Sequence, residues 1–141
     1  MLCVNKYLQD YISNCRKNIA IQLKSYKKVR SRLTDAGTEE KIIEDFEQSF
    51  FNHLILALEA YFMHRSRTLE LKDGNAANEV RMLSNSIMCN GNILQPDNTI
   101  KYNPPKAILK YNFGDKIKLT VEDFSKLSDA YFKEIEKKFS Y

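Results

Sequence analysis

Ionisable and amide side chains crowd into residues 64–81, and their types suit the recognition of an anionic or aromatic ligand. Arginine and histidine can bind a phosphate group or a nucleobase, and a neighbouring glutamate can move a proton. The candidate ligand-binding residues are His64, Arg65, Arg67, Asp73, Asn78, Glu79 and Arg81. If this cluster is catalytic, His64, Arg67 and Glu79 are the residues expected to carry the reaction.

The same side chains could instead brace the fold. In a helical hairpin that turns at Gly74, Arg67 lies roughly opposite Glu79, and an ion pair between them would hold two helices together. Ion-pair networks of this kind imitate active sites, because both gather charged groups in one place. We favour this structural clamp over a site, so no catalytic residue is assigned.

No metal site and no cofactor are expected. The only two histidines, His53 and His64, are 11 residues apart. They therefore lie about 16 Å apart along one helix, too far to share a metal ion. The chain has no cysteines or histidines at metal-ligand spacing, and it lacks the glycine-rich phosphate loops and the nucleophile elbow of hydrolases.

The net charge of +4 conceals two oppositely charged segments. Residues 1–34 contain 8 Lys and Arg against one Asp, whereas residues 35–63 contain 7 Asp and Glu against one Lys. If the two segments form neighbouring antiparallel helices, their charges compensate each other and suit both helix dipoles. A basic helix with an interleaved tyrosine could bind nucleic acid, but we do not expect it to do so beside an acidic neighbour.

The positions of apolar residues predict four helices that hold these groups. Apolar side chains recur every three or four residues over residues 4–33, 38–72, 76–90 and 121–139. The last helix has the clearest start, since Thr120 with Asp123 matches a capping box. The expected fold is mainly all-α, with one domain over residues 1–141 arranged as an antiparallel four-helix bundle.

Residues 92–119 interrupt the helical pattern between the third and fourth helices. Pro104 and Pro105 exclude a helix there, and residues 95–98 are a turn signal between two short apolar runs. We expect an irregular insertion or a small β-hairpin that pairs residues 93–94 with residues 99–101.

The second predicted helix is apolar on two sides, and such a helix needs more than one neighbour. With 8 Tyr and 8 Phe, the chain has more apolar surface than four helices are expected to cover, which predicts self-association or a protein partner. The start of the chain lacks the features of a signal peptide, and no apolar run reaches the roughly 20 residues that span a bilayer. The expected location is the cytoplasm, without membrane contact.

Residues 50–139 resemble a family of small, uncharacterised bacterial proteins. The resemblance rests on Tyr61-Phe62-Met63-His64-Arg65, on Lys72-Asp73-Gly74-Asn75 followed by Asn78-Glu79-Val80-Arg81, and on Gly114-Asp115 through Leu119-Thr120 ahead of Asp123-Phe124. Where the family usually has a Pro-Leu pair this chain has Ala76-Ala77, and the loss of proline at a helix start should cost little. The resemblance implies a shared helical architecture and no particular activity.

A looser resemblance is to the HEPN group of helical ribonucleases, in which an arginine is followed four to six residues later by a catalytic histidine. Neither His53 nor His64 has an arginine at that spacing. The function expected from the sequence is therefore a non-catalytic binding or accessory module of the cytosol. The alternative is a metal-independent ribonuclease or phosphate-ester enzyme of HEPN-like helical type.

Overall fold

Five helices and a short 3-10 turn form the structure, a computed structural model that describes residues 3–141. The helices are α1 (Gln9–Asp35), α2 (Glu40–Ala60), α3 (Arg67–Glu70), α4 (Ala76–Cys89) and α5 (Val121–Phe139), and the 3-10 turn spans Pro104–Lys106. The prediction of a mainly helical protein is confirmed, although the first two residues of the predicted 1–141 domain lie outside the described residues. Among the residues described, no helix combines the length and the apolar content that crossing a membrane requires.

The core lies between the four long helices. α2 contacts α1, α4 and α5, and α5 contacts α1, α3 and α4 as well. Buried apolar residues recur at spacings of three, four or eight positions, which keep them on one face of each helix: Ile43, Phe51, Ile55 and Leu58 on α2, and Phe124, Leu127, Tyr131, Ile135 and Phe139 on α5. Full burial of each aliphatic or aromatic side chain stabilises the fold by about 1.5–3 kcal/mol, so these two stripes supply much of its stability.

The start of α5 is set by the predicted capping box. The backbone N of Asp123 donates a hydrogen bond to Oγ1 of Thr120 at 3.1 Å, and the backbone N of Thr120 donates to Oδ2 of Asp123 at 3.2 Å. The first bond satisfies a donor that has no partner inside the helix. α5 therefore begins where the sequence predicts.

The prediction that the first helix begins at residue 4 is wrong, because the chain before α1 pairs with other segments. The backbone N of Val4 donates to the carbonyl oxygen of His64 at 2.8 Å, and the backbone N of Ser66 donates to the carbonyl oxygen of Val4 at 2.9 Å. Further along, the backbone N of Tyr7 donates to the carbonyl oxygen of Phe139 at 2.6 Å. Extended pairing and helical bonding use the same backbone groups, so this segment is not helical.

The predicted second helix, residues 38–72, is two helices in the structure. α2 ends earlier, residues 61–64 form a turn, and Arg65 makes an isolated parallel bridge with the extended N-terminal segment. Ser66 then starts the four-residue α3, since its hydroxyl accepts a hydrogen bond from the backbone N of Leu69 at 3.4 Å. Apolar residues recur on both sides of the break, so periodicity alone does not reveal it.

The segment between α4 and α5 does not form the hairpin considered between residues 93–94 and 99–101. Ile93 instead makes an isolated antiparallel bridge with Lys116, and the backbone N of Leu94 donates to the carbonyl oxygen of Asp115 at 2.9 Å. Several apolar side chains of this insertion are buried: Leu94, Ile100, Ala107, Ile117 and Leu119. The insertion therefore packs on the helices and closes part of the core.

Candidate functional site

The carboxylate of Glu70, at the end of α3, is the centre of a buried polar cluster. Its Oε1 lies 2.7 Å from Nε of Arg65 and accepts a hydrogen bond from Nη2 of Arg81 at 2.6 Å. Its Oε2 accepts bonds from Nδ2 of Asn78 at 2.7 Å and from Nε of Arg81 at 3.2 Å. Burial alone would raise the pKa of Glu70, but the hydrogen bond from Arg81 and the charges of both arginines outweigh it and lower the pKa.

Arg65 connects this carboxylate to α2 and α5. Its side chain is fully buried and pairs with Glu59, the second carboxylate of the cluster. It also donates hydrogen bonds to the hydroxyl oxygen of Tyr131 at 3.1 Å and to the carbonyl oxygen of Ala77 at 3.2 Å. The Tyr131 hydroxyl donates in turn to Glu59 at 3.2 Å. Burial, together with the charge of Glu59, raises the pKa of Tyr131, so this tyrosine stays a neutral donor.

The cluster is balanced in charge and almost entirely buried. Two arginines face two glutamates, and only Arg81 and Glu59 keep a small exposed fraction, 14% and 13% of their side chains. A charge taken out of water is costly unless a partner is present, so each of the four depends on the others. A ligand would have to displace one of these pairs. The arrangement is therefore a clamp that joins α2, α3, α4 and α5.

The turn before α4 is built from the side chains of Asn75 and Asn78. Oδ1 of Asn75 accepts a hydrogen bond from the backbone N of Asn78 at 3.1 Å and so caps α4, while its Nδ2 donates to the carbonyl oxygen of Glu70 at 2.7 Å. Oδ1 of Asn78 accepts from the backbone N of Gly74 at 2.9 Å. Gly74 has a φ of +88°, and its lack of a Cβ leaves room for the carbonyl oxygen of Lys101. The residues of this turn thus support the clamp.

Glu79 binds the insertion between α4 and α5 rather than a side chain on another helix. Its buried carboxylate accepts hydrogen bonds from the backbone N of Ile108 at 2.8 Å and of Leu109 at 2.9 Å. Burial raises the pKa of Glu79, and the two amide donors offset part of that effect. The predicted ion pair between Arg67 and Glu79 is wrong. Arg67 lies exposed on α3, beyond the break that displaces it from the predicted helix.

The structure brings together only part of the predicted candidate set. Three candidates surround Glu70: Arg65, Asn78 and Arg81. Three others are exposed: His64, Arg67 and Asp73. Glu79 is buried and engaged with the insertion. The catalytic trio considered above is therefore divided between the surface and the interior.

Sequence reasoning misses Glu59 and Tyr131 as members of the cluster, and it places Glu70 in the polar segment 64–81 without recognising it as the centre. Glu59 interrupts the most apolar stretch of the chain, and this is the one signal that points to a buried acid with a partner. Tyr131 occupies an ordinary position in the apolar stripe of α5. Its contact with Arg65 spans 66 positions of the chain, and no local pattern indicates it.

Within residues 3–141, no three His, Cys, Asp or Glu side chains are grouped so that they could hold a metal ion. His64 is exposed, and His53 uses its Nδ1 in a 2.8 Å contact with the carbonyl oxygen of Ser49 in its own helix. The carboxylates of the buried cluster face arginines rather than each other.

One ion pair carries the predicted charge compensation between α1 and α2. Arg30 of α1 pairs with Glu40 of α2, and beside them the Tyr26 hydroxyl donates to Glu47 at 2.8 Å. Five other cations of α1 are exposed and make no ion pair within the described part of the chain: Lys17, Lys24, Lys27, Lys28 and Arg32. α1 therefore carries a ridge of exposed positive charge.

α1 and α2 also leave apolar side chains uncovered on their outer side. Ile21, Ile42 and Phe46 are each more than half exposed, and Phe46 stacks on the half-buried Phe50 with ring centroids 5.7 Å apart. A groove between the two helices continues this area, and its lining includes Ile21, Leu54, Ala57 and Tyr61. We define the outer α1–α2 surface by Ile21, Val29, Ile42, Phe46, Phe50 and Leu54.

No protein-family model, no curated protein and no solved structure matches this chain. Its functional interpretation therefore rests on its own geometry. That geometry combines a buried cluster, whose charges neutralise each other, with an exposed apolar surface beside a ridge of lysines.

Proposed function

We propose that this protein is a non-catalytic binding or accessory module of the cytosol, built on an antiparallel four-helix bundle. The outer α1–α2 surface binds the partner, and the buried cluster around Glu70 stabilises the fold. The observation that carries the proposal is the exposure of Ile42 (57%) and Phe46 (51%) one helical turn apart on α2. The partner expected at this surface is a protein rather than a membrane or a nucleic acid.

Apolar side chains held at a surface point to a partner because their contact with water is unfavourable. Fully burying one phenylalanine or isoleucine contributes about 1.5–3 kcal/mol. Single exposed apolar residues are common, but Ile42, Phe46, Phe50 and Leu54 follow one another at intervals of four and so form a continuous stripe. An apolar stripe with charged residues at its edge is typical of a surface that a second protein covers.

A reactive centre receives no comparable support. The acid–base candidate Glu79 is buried, and both of its carboxylate oxygens accept backbone hydrogen bonds from the insertion. A general base must come within about 3 Å of the proton that it removes, so Glu79 would first have to release that segment. His64 and Arg67 lie on the exposed side. The HEPN-like ribonuclease or phosphate-ester enzyme is therefore the weaker candidate.

Binding of the dye bis-ANS, which fluoresces in apolar sites, tests the outer α1–α2 surface. We compare wild type with Phe46→Ser, and we use Phe113→Ser as the matched control because Phe113 is 46% exposed but lies in the insertion. At low protein concentration, Phe46→Ser should remove at least about half of the fluorescence, since it deletes the most exposed ring of the stripe. Phe113→Ser should leave the signal close to that of wild type.

A folded Phe46→Ser variant that binds the dye as strongly as wild type contradicts the proposal. Far-UV circular dichroism and melting curves establish that both variants are folded. A second assay tests the enzyme alternative by measuring the cleavage of single-stranded RNA and of a chromogenic phosphate ester. If wild type turns over either substrate and His64→Ala does not, the protein is an enzyme and the proposal of a binding module is wrong.

A further inference from the structure

We infer that the outer α1–α2 surface binds a second copy of this chain, with α1 of each protomer lying over α2 of its partner. The inference rests on the proposed function, because it names the partner of the same surface. It follows from where the exposed cations of α1 and the exposed acids of α2 lie relative to the apolar stripe.

The opposite charges lie at the same end of the α1–α2 hairpin. The Tyr26 hydroxyl bonds to Glu47 at 2.8 Å, so the second half of α1 runs beside the first half of α2. Counting two residues along each helix from this contact, Lys28 is level with Asp45. Both side chains are exposed, and Asp45 also pairs with Lys41 one turn earlier on its own helix, with Nζ and Oδ1 2.6 Å apart. Further towards the end of the hairpin, exposed Arg32 of α1 approaches the level of exposed Glu39 at the start of α2.

Symmetry determines which helices meet in a dimer of this surface. When the two-fold axis runs parallel to the helices and between them, each α1 lies over the partner's α2 at the same height. Lys28 then faces the partner's Asp45. When the axis runs across the helices, α1 lies over the partner's α1, and the lysine ridges face each other. Charge complementarity selects the first arrangement.

The apolar residues fit the same arrangement. Val29 is level with the turn of α2 that carries Ile42 and Phe46, and all three are more than half exposed. Placing α1 over the partner's α2 brings these side chains together, with the lysines and acids along the edge. This is the usual organisation of a protein interface, an apolar centre with a polar rim.

The surface also reaches the lower end of the size range of stable dimer interfaces. α2 has 21 residues. Two such helices side by side therefore present a face of about 30 Å by 20 Å. A flat face of this size has an area of roughly 600 Å², and protruding side chains add to it. A standard interface covers about 800 Å² on each partner. That is about a tenth of the 8378 Å² accessible surface of this chain.

A charge exchange between two variants tests the arrangement. Lys28→Glu and Asp45→Lys should each weaken the dimer at least about tenfold in sedimentation equilibrium, because each places like charges opposite each other. An equimolar mixture of the two variants should restore association. In the mixed dimer the introduced glutamate faces the introduced lysine at one contact, and the native Lys28 faces the native Asp45 at the other. Lys133→Glu, on the exposed side of α5, is the control and should associate like wild type.

The outcomes separate this inference from the proposed function. A mixture that associates no more tightly than the single variants overturns the placement of α1 over the partner's α2. A wild type that stays monomeric at every concentration, while dye binding still depends on Phe46, overturns the dimer and leaves the binding surface in place. If wild type stays monomeric and dye binding does not depend on Phe46, both the dimer and the proposed binding surface are refuted. Dye binding that declines as the wild-type concentration rises supports the dimer, because the second copy then covers the surface.

Discussion

Arg65 and Glu70 form an ion pair in which neither side chain has any exposed surface, with Nε and Oε1 2.7 Å apart. Such a pair gives little net stabilisation relative to apolar residues of the same volume. Removing one partner, in contrast, is strongly destabilising, because the other remains as an unpaired buried charge. The effect of a mutation in this cluster therefore depends on whether it removes one charge or a balanced pair.

Replacing Arg65 by alanine should be among the most damaging single substitutions in the chain. It leaves Glu59 and Glu70 without their shared cation, and we expect the free energy of unfolding to fall by about 3–5 kcal/mol. Arg67→Ala is the matched control, since this arginine is exposed and its loss should change stability by no more than about 0.5 kcal/mol. Urea unfolding followed by circular dichroism measures both. Equal losses in the two variants would mean that the clamp does not depend on Arg65.

Stability should depend on pH through Glu70. Its pKa is lowered in the folded protein from an ordinary value of 4.5, so the unfolded chain takes up the proton first as the pH falls. The stability contributed by Glu70 is therefore present above pH 4.5 and is lost as the pH falls through the folded pKa. The difference in unfolding free energy between wild type and Glu70→Gln should shrink from neutral to acid pH. A difference that stays constant in urea titrations would contradict a role for this charge.

Glu79 should have the opposite dependence on pH and a local effect. Its pKa is raised, so its contribution to stability is present below the ordinary value of 4.5 and is lost as the pH rises through the folded pKa. Glutamine replaces one of the two acceptor oxygens by an NH2 donor, so one backbone donor loses its partner, and we expect Glu79→Gln to cost about 1–3 kcal/mol. Hydrogen exchange should become faster at Ile108 and Leu109.

Glu122→Gln provides the comparison for this experiment, because Glu122 is an exposed acid at the start of α5. It should leave exchange at residues 108–109 unchanged. Protection at these two amides that is the same in Glu79→Gln and in wild type would show that the carboxylate does not anchor the insertion.

Gly74→Ala and Gly37→Ala separate backbone strain from a steric clash. Both glycines have positive φ, +88° and +77°, so alanine at either position should cost about 1–2 kcal/mol in backbone strain. At Gly74 the new Cβ would also run into the carbonyl oxygen of Lys101, whereas at Gly37 it meets no atom within 4 Å. The melting temperature should therefore fall further in Gly74→Ala. Equal shifts in calorimetry would indicate that the backbone at Lys101 moves aside.

The elements that the sequence predicts well are those whose ends are determined locally. The capping box of Thr120 with Asp123 and the Asn75 cap of α4 act within a few residues, and both helix starts are found where expected. The end of α2 depends instead on Val4, which pairs with the backbone at residues 64–66. Because a segment distant in sequence causes the break between α2 and α3, no local sequence pattern predicts it.

Periodicity shows that α2 has two apolar sides but not which one faces the core. Phe51 and Ile55 are fully buried, whereas Phe46 is half exposed, and the difference depends on which helices surround α2.

The candidate site is likewise only partly predictable from the sequence. Arg65 and Arg81 could be singled out because charges gather near the turn, but the partners of Glu79 are backbone amides, which no sequence pattern marks.

The ion pairs around Glu70 also determine how α4 is aligned along its neighbours. Isoleucine, leucine and phenylalanine can shift by one helical turn and still meet apolar surface, so a core of these residues alone accepts several registers. The same shift, about 5.4 Å, carries Arg81 away from Glu70, so that Arg81 loses its counter-ion and Glu70 keeps only Arg65. Misaligned packings are therefore destabilised far more than they would be in an all-apolar core. The cluster selects one register among several that hydrophobic contacts do not distinguish.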